Sequence, residues 1–355
     1  MKIIAGIVLL ISGFAAQAQK KASPAITRYI VMTGTIDKYP VTFHLYQVNN
    51  DFSGTYYYNS SEIPIDFTGS SDSARFLKLS HFSENDDNGE LFEGVFKDSS
   101  FSGTWSYKGK LLPFYLKRQK DTDGLSFDYI CTSGSKKIPK REEGFGPEEL
   151  FFDAATIWPT AISKHPAADS IKQFIRESFG EKNSKEEIGK ILLRRKNELL
   201  NPATDDIEVY SSTDQIQVIY RTPRLLTIKH LNSGYYGGAH GIYGTGYTCF
   251  SLVQNKRLEL ADVLDTLAAK AVLEKLLEKK FREDYRVKAE EKLEEVLLVD
   301  KIPANDNFLL TGKGIGFNYV PYEIGAFAMG EVKLFIPFTE IEKYLKPSFK
   351  KLLNQ

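Results

Sequence analysis

The sequence predicts two folded parts: an N-terminal all-β antiparallel meander or small barrel, and a C-terminal α+β sheet with packed helices. Three observations predict this. Residues 26–118 alternate apolar and polar positions in short runs, the period of half-buried strands. A charged stretch containing Gly and Pro then interrupts the pattern. Beyond Pro147, helical spacing appears between further strand-like runs. The expected organisation is a signal peptide over 1–19, a barrel-like domain over 20–118, a linker over 119–146 and an α+β domain over 147–355.

Met1-Lys2, an apolar run from Ile3 to Phe14, and Ala16-Gln17-Ala18 read as a secretory signal peptide. The run is too short for a stable membrane span, and no cysteine follows it for lipid attachment. The remaining chain is expected to be periplasmic or secreted, with no membrane span after cleavage. Lys+Arg and Asp+Glu both number 46, so no basic surface points to nucleic acid. Two cysteines, Cys131 and Cys249, are too few for a disulfide-built scaffold. They remain either one bridge or two unrelated thiols.

In "VTFHLYQV", Val41, Phe43 and Leu45 share one face, and Thr42, His44 and Tyr46 the other. "EIPIDF" repeats the pattern with Ile63, Ile65 and Phe67, and "LLPFYL" with Leu112, Phe114 and Leu116. About eight such runs on short connections predict a meander that closes or curves strongly. "FSGTYYYN" (52–59) and "FSGTWSYK" (101–108) nearly copy each other. Their rings are either a ligand platform or core filling. Gly54 and Gly103 are expected where another backbone approaches closely. The 117–124 and 133–147 stretches are charged and contain Gly and Pro, the composition of a linker.

In the second part, "PAADSIKQFIRESFG" sets Ile171, Phe174, Ile175 and Phe179 at helical intervals. Asp169 or Ser170 is the expected cap and Gly180 the stop. "SKEEIGKILLRRKNELLNP" opens with Ser184 and Glu187 in capping-box spacing. Strand patterns follow in "DIEVYSS", "QIQVIYR", "RLLTIKHLNSGYY" and "GIYGTGYTCFSLV", then a charged helix over about 265–296. The ending gives "GIGFNYVPYEI", "EVKLFIPF" and a helix from Thr339 with Ile341, Tyr344, Leu345 and Leu352 as its apolar stripe.

"YYGGAHG" (235–241) holds two tyrosines, three glycines and one of five histidines. Gly237 and Gly238 suit positive φ, and Gly241 would let the chain reverse. Three readings stay open: a structural corner with His240 held by backbone bonds, a binding surface with Tyr243 and Tyr247, or a catalytic loop.

"LNSGYYGGAHGIYGTGYTCFSLVQNKRLELADVL" and "GIGFNYVPYEIGAFAMGEVKLFIPFTEIEKYL" resemble the C-terminal extracellular domain of RsiV-type anti-sigma proteins, a bacterial envelope domain of unknown function with a Gly-Gly-Ala-His motif. The resemblance covers about 150–353. It implies a non-catalytic binding module: in those proteins the extracellular region binds lysozyme, and related domains sit, without being the catalytic module, in some peptidoglycan deacetylases. Residues 20–145 lie outside it, and the cytoplasmic sigma-binding segment and membrane helix have no counterpart, so anti-sigma signalling is not implied. Carried onto this chain, the structural motif is Gly237, Gly238, Ala239 and Gly241. The candidate binding residues are Tyr235, Tyr236, His240, Tyr243, Tyr247, Tyr319 and Tyr322, about half of the tyrosines facing outward.

Other chemistry finds little footing. No Gly-x-Ser-x-Gly, His-Glu-x-x-His or Cys-x-x-Cys occurs, so no catalytic residue, metal or cofactor is expected. Gly241, Gly244 and Gly246 imitate a phosphate loop, but a strand pattern follows instead of a helix and the lysine is absent; "GKGIGF" at 312–317 likewise leads into a strand pattern. Asp86-Asp87-Asn88-Gly89 suits a hairpin turn better than calcium. The expectation is an envelope protein binding a protein or cell-wall glycan, such as a lysozyme-like enzyme or a wall fragment. The alternatives are a cell-wall hydrolase using His240 and a small-molecule carrier using the N-terminal β-domain.

Overall fold

A computed structural model describes residues 26–354, apart from 73–74, 84–85, 121–122, 139–146 and 204–206. The expected signal peptide lies outside the described residues. The chain forms an N-terminal closed barrel followed by an α+β region.

Eight antiparallel strands make the barrel: β1 (Thr27–Ile36), β2 (Tyr39–Val48), β3 (Asp51–Tyr58), β4 (Ile65–Ser71), β5 (Phe76–Ser83), β6 (Asp86–Lys97), β7 (Ser100–Tyr107) and β8 (Lys110–Arg118). Pairing of β1 with β8 closes it. The period-two pattern explains the interior: Val41, Phe43, Leu45, Phe67, Phe92, Phe114 and Leu116 are buried in one cluster. Phe43 stacks on Tyr56 at 4.8 Å and meets Phe92 edge-on at 5.2 Å. Of the repeated segments, Tyr56 and Trp105 also fill this core. Side chains thus occupy the space that a small-molecule carrier would keep open. The glycine expectation holds: a Cβ at Gly103 would lie 2.5 Å from Cα of Gly94, and one at Gly54 would lie 2.0 Å from the carbonyl oxygen of His44.

The second region is built on a six-stranded sheet ordered β14-β13-β12-β11-β10-β9. Its elements are β9 (Phe127–Lys137), β10 (Glu149–Pro159), α1 (Ala168–Ser178), α2 (Ile188–Leu200), β11 (Ser211–Arg221), β12 (Leu225–Tyr235), β13 (Ile242–Ser251) and β14 (Lys256–Leu258). Strands β10 and β11 run parallel, and the α1–α2 pair supplies the crossover that a parallel pair needs. Next come α3 (Leu260–Val263), α4 (Thr266–Tyr285), a three-stranded sheet of β15 (Phe308–Leu310), β16 (Gly314–Tyr319) and β17 (Val332–Pro337), then α5 (Phe338–Ile341) and α6 (Pro347–Asn354). These pack into a core around Leu273, Leu277, Phe281, Phe317 and Leu334. Among the described residues, no helix is long and apolar enough to cross a membrane.

Three expectations need correction. The 119–146 stretch is not simply a linker, because β9 lies within it and pairs with β10 along its whole length. Its composition misleads because it is an edge strand: Phe127 and Tyr129 are buried and Ile130 and Cys131 half-buried, whereas Ser133 and Ser135–Lys137 are polar and exposed. The helices also differ at their ends. α1 starts after Ala167, and α2 starts after Glu187. α4 stops at Tyr285 because Arg286 takes a left-handed conformation. The terminal helix is broken before Pro347, which cannot continue a helix from the preceding turn.

The third correction concerns the two halves, whose charged connection suggests few contacts between them. Instead, the second face of β1–β3 is buried against the sheet. Tyr29 and Tyr46 belong to the sheet's core cluster, and Tyr57 packs on Tyr220 with ring centroids 5.4 Å apart. Lys229 Nζ donates to Asp66 Oδ1 at 2.8 Å, and Thr55 donates to the same oxygen. Partial desolvation at this contact opposes charge on Asp66, yet Lys229, Lys333 and Thr55 hold its pKa far below the usual carboxylate range.

Candidate functional site

Strands β12 and β13 pair as far as Gly234 and Ile242, and residues 235–241 turn between them. Gly237 and Gly238 take φ of +88° and +96°, a conformation that costs glycine no Cβ clash. The Tyr235 hydroxyl donates to the Gly238 carbonyl at 2.7 Å and fixes the turn. A Cβ on Gly241 would lie 2.9 Å from the Gly234 carbonyl oxygen. The corner is therefore structural at its glycines.

His240 is exposed. Its Nδ1 lies 2.8 Å from the Gly241 carbonyl, so the expected backbone bond is present without burial. The imidazole stacks on Phe327 with centroids 3.9 Å apart and planes 20° apart. Tyr322 lies beside both rings, 5.8 Å from Phe327, with its hydroxyl 3.3 Å from His240 Nε2. Tyr243 meets Phe327 edge-on at 5.7 Å. The glycine corner and the Tyr322–Phe327 stretch thus meet in one aromatic cluster. Tyr322 itself sits at φ +71°, held by its N–H donating to the Gly325 carbonyl.

Side chains rather than a strand join these segments beneath the cluster. The Thr245 carbonyl accepts from the amides of Asn307 and Asn318 at 2.8 and 2.9 Å. The Thr245 N–H donates to Glu331, and the Tyr247 N–H to Asn307. This satisfies backbone groups on an edge that β14 covers only at Cys249–Ser251.

Of the candidate tyrosines, Tyr322 and Tyr236 are 58% and 54% exposed, while Tyr235 and Tyr243 are half-buried. Tyr247 and Tyr319 are buried. Tyr319 donates to the Pro303 carbonyl at 2.7 Å, and burial, then Glu323, pushes its hydroxyl pKa well up. These two are structural. Tyr236 folds over Gly234, and no ring contact joins it to Phe327. Phe327 was not among the candidates, although it is the one large ring in the small-residue stretch "GAFAMG".

A second polar cluster lies on the sheet. Asp214 of β11 is buried and accepts from His230 Nε2 at 3.1 Å, Asn232 at 2.7 Å and Arg195 at 3.4 Å. Burial would raise its pKa, but His230, Asn232 and Arg195 together lower it. The carboxylate is occupied by donors, and no nucleophile joins the pair. Cys131 and Cys249 are both free, and burial pushes both thiols up to about 12. Among the described residues, no group of three His, Cys, Asp or Glu could hold a metal ion. The Asp86–Gly89 stretch has no described side-chain set from which calcium ligation could be read.

Residues 261–339 match DUF3298, a protein family of unknown function. That range contains Tyr319, Tyr322 and Phe327 and begins after the glycine corner. A DUF3298 family member from Bacteroides fragilis NCTC 9343 has a similar structure. It is 24% identical with a TM-score of 0.52, covering 66% of this chain and 99% of its own. A DUF3298 family protein from Pseudomonas aeruginosa PAO1 is 18% identical with a TM-score of 0.47, covering 64% and 98%. No curated protein matches the chain.

Proposed function

We propose that this chain is a non-catalytic envelope protein, periplasmic or secreted, whose C-terminal half binds a protein or glycan partner through the His240–Phe327 corner. The observation that carries this reading is the exposed His240 ring stacked on Phe327 with Tyr322 alongside. Aromatic groups with polar tips suit recognition because they bury large area at low entropic cost. Loop corners on a rigid sheet are where binding residues concentrate. The likeness of both segments to RsiV-type domains favours a muramidase or a wall fragment as the partner. The hydrolase reading gains less support: among the described residues, the hydrogen bonds of the His240 ring go to Gly241 and Tyr322, and no carboxylate orients it.

The test is binding of the full chain to pure lysozyme and to soluble peptidoglycan fragments, by interferometry. The same assay is run with Phe327→Ala and Tyr322→Ala. Binding to one of these that both substitutions weaken is expected. Hydrolysis of wall fragments, or binding indifferent to both substitutions, would overturn the reading.

A further inference from the structure

The barrel has a mouth that the C-terminal corner does not involve. At one end of its packed interior, Tyr58, Ile65, Tyr107 and Leu112 lie half-buried over the core. Glu90 of β6 is also half-buried. Tyr56 and Trp105, both buried, direct their hydroxyl and indole N–H onto Oε2 of Glu90, the latter at 2.7 Å. Both hydrogen bonds fall on one oxygen. Among the described residues, no Lys, Arg or His forms an ion pair with this carboxylate. Trp105 and Tyr107 lie 6.1 Å apart, and Tyr56 and Tyr58 5.9 Å. Burial, then the Glu90 charge, pushes the Tyr58 hydroxyl up to about 12. The rim already takes a cation, since Lys108 Nζ lies 4.8 Å from the Tyr107 ring centroid.

An anchored carboxylate without a cationic partner, walled by electron-rich rings, matches a positively charged nitrogen. Ring faces attract it through their quadrupole, and the carboxylate supplies its counter-charge. We infer that the barrel mouth is a binding site for the ammonium group of a small organic cation, with Glu90 as counter-ion and Tyr58 and Tyr107 as walls. Neutral sugars fit less well: they would gain ring stacking but leave the Glu90 charge uncompensated. The packed interior limits the ligand to its head group at the rim.

The chain has two tryptophans, Trp105 and Trp158, so the Trp105 indole N–H resonance can be assigned in a Trp158→Phe background. The full chain is titrated with n-butylammonium and tetramethylammonium, and in parallel with n-butanol and glucose. A saturable shift of the Trp105 resonance by the ammonium ions alone is expected, weakened about tenfold or more in Glu90→Gln. Equal response to butanol, saturation by glucose instead, or no saturable shift by either ammonium ion would overturn the assignment. The contrast between ammonium and alcohol decides on the unsubstituted mouth, even if Glu90→Gln fails to fold.

Discussion

The Tyr46 hydroxyl holds both backbone polar groups of Val218, a residue 172 positions away: it accepts from the N–H at 2.5 Å and donates to the carbonyl at 3.0 Å. Val218 lies beyond the β10–β11 pairing, which ends at Ile216, and just before the β11–β12 register shifts. A barrel side chain thus completes the sheet's hydrogen bonding. Tyr46→Phe leaves these buried groups unsatisfied and should cost about 1–3 kcal/mol, measured by denaturant titration. Barrel and sheet should unfold in one calorimetric transition. Two well-separated transitions would show that this contact does not couple them.

The barrel was legible because one buried face imposes a period of two. Val41, Phe43 and Leu45 follow it. Alternation says which residues share a face, but not what covers the other one. His44 and Tyr46 therefore read as an outer face, although the sheet buries them. The glycine corner was legible because Gly237 and Gly238 need positive φ. Phe327 was not, because its partner His240 lies 87 residues earlier and neither local pattern encodes the stacking. The β9 strand was obscured for a third reason: an edge strand keeps the polar composition of a loop.

Burial of His44 gives stability a pH dependence. Its Nδ1 lies 2.6 Å from the Tyr29 hydroxyl, and Nε2 has no partner among the described residues. Burial, then the charge of Arg221, lowers its pKa to about 3. The unfolded chain takes up this proton near pH 6.5 and the folded chain only near 3, so stability falls as pH drops between them. At pH 5 the loss should be about 2 kcal/mol relative to neutral pH. Urea midpoints from pH 7.5 to 5 check it: His44→Gln should flatten the dependence. An unchanged slope would place it elsewhere.

Asp214 should prove structural. Asp214→Ala strands the donors of His230, Asn232 and Arg195, and about 1–3 kcal/mol of stability should be lost. His230 and Arg195 keep partial access to water, which keeps the cost below that of a fully buried pair. The wild-type carboxylate has a lowered pKa, so its contribution is present above the unfolded value near 4 and disappears as pH falls through the folded one. A variant that melts like the parent would contradict this.

The two thiols should differ in access but share low reactivity. Thiolate is the reactive form, and burial pushes both cysteines up to about 12. Cys249 also lies within 3.6 Å of Thr227 Oγ1 and of the Phe308 carbonyl. In the folded protein, iodoacetamide should spare Cys249 and modify the half-buried Cys131 only slowly, as read by mass spectrometry. Both should react in urea. Rapid labelling of Cys249 without denaturant would show that the β13–β15 contact opens.

At the corner, stability and recognition should separate. His240 is exposed, so His240→Ala strands no buried donor, and the cost should stay within about 1 kcal/mol. Expecting a larger loss would require a buried imidazole. Phe327 is half-buried between His240, Tyr322 and Tyr243, and Phe327→Ala removes the ring on which all three pack. Stacked pairs contribute about 0.5–1.5 kcal/mol beyond burial, so this variant should lose more stability than His240→Ala and also disorder the other rings. Thermal melts give the ranking, and binding to lysozyme or wall fragments gives the second axis. His240→Ala should weaken binding with little change in melting, whereas Phe327→Ala should lower both. If His240→Ala melts much lower and binds normally, the histidine serves the turn, and the recognition surface lies elsewhere on the chain.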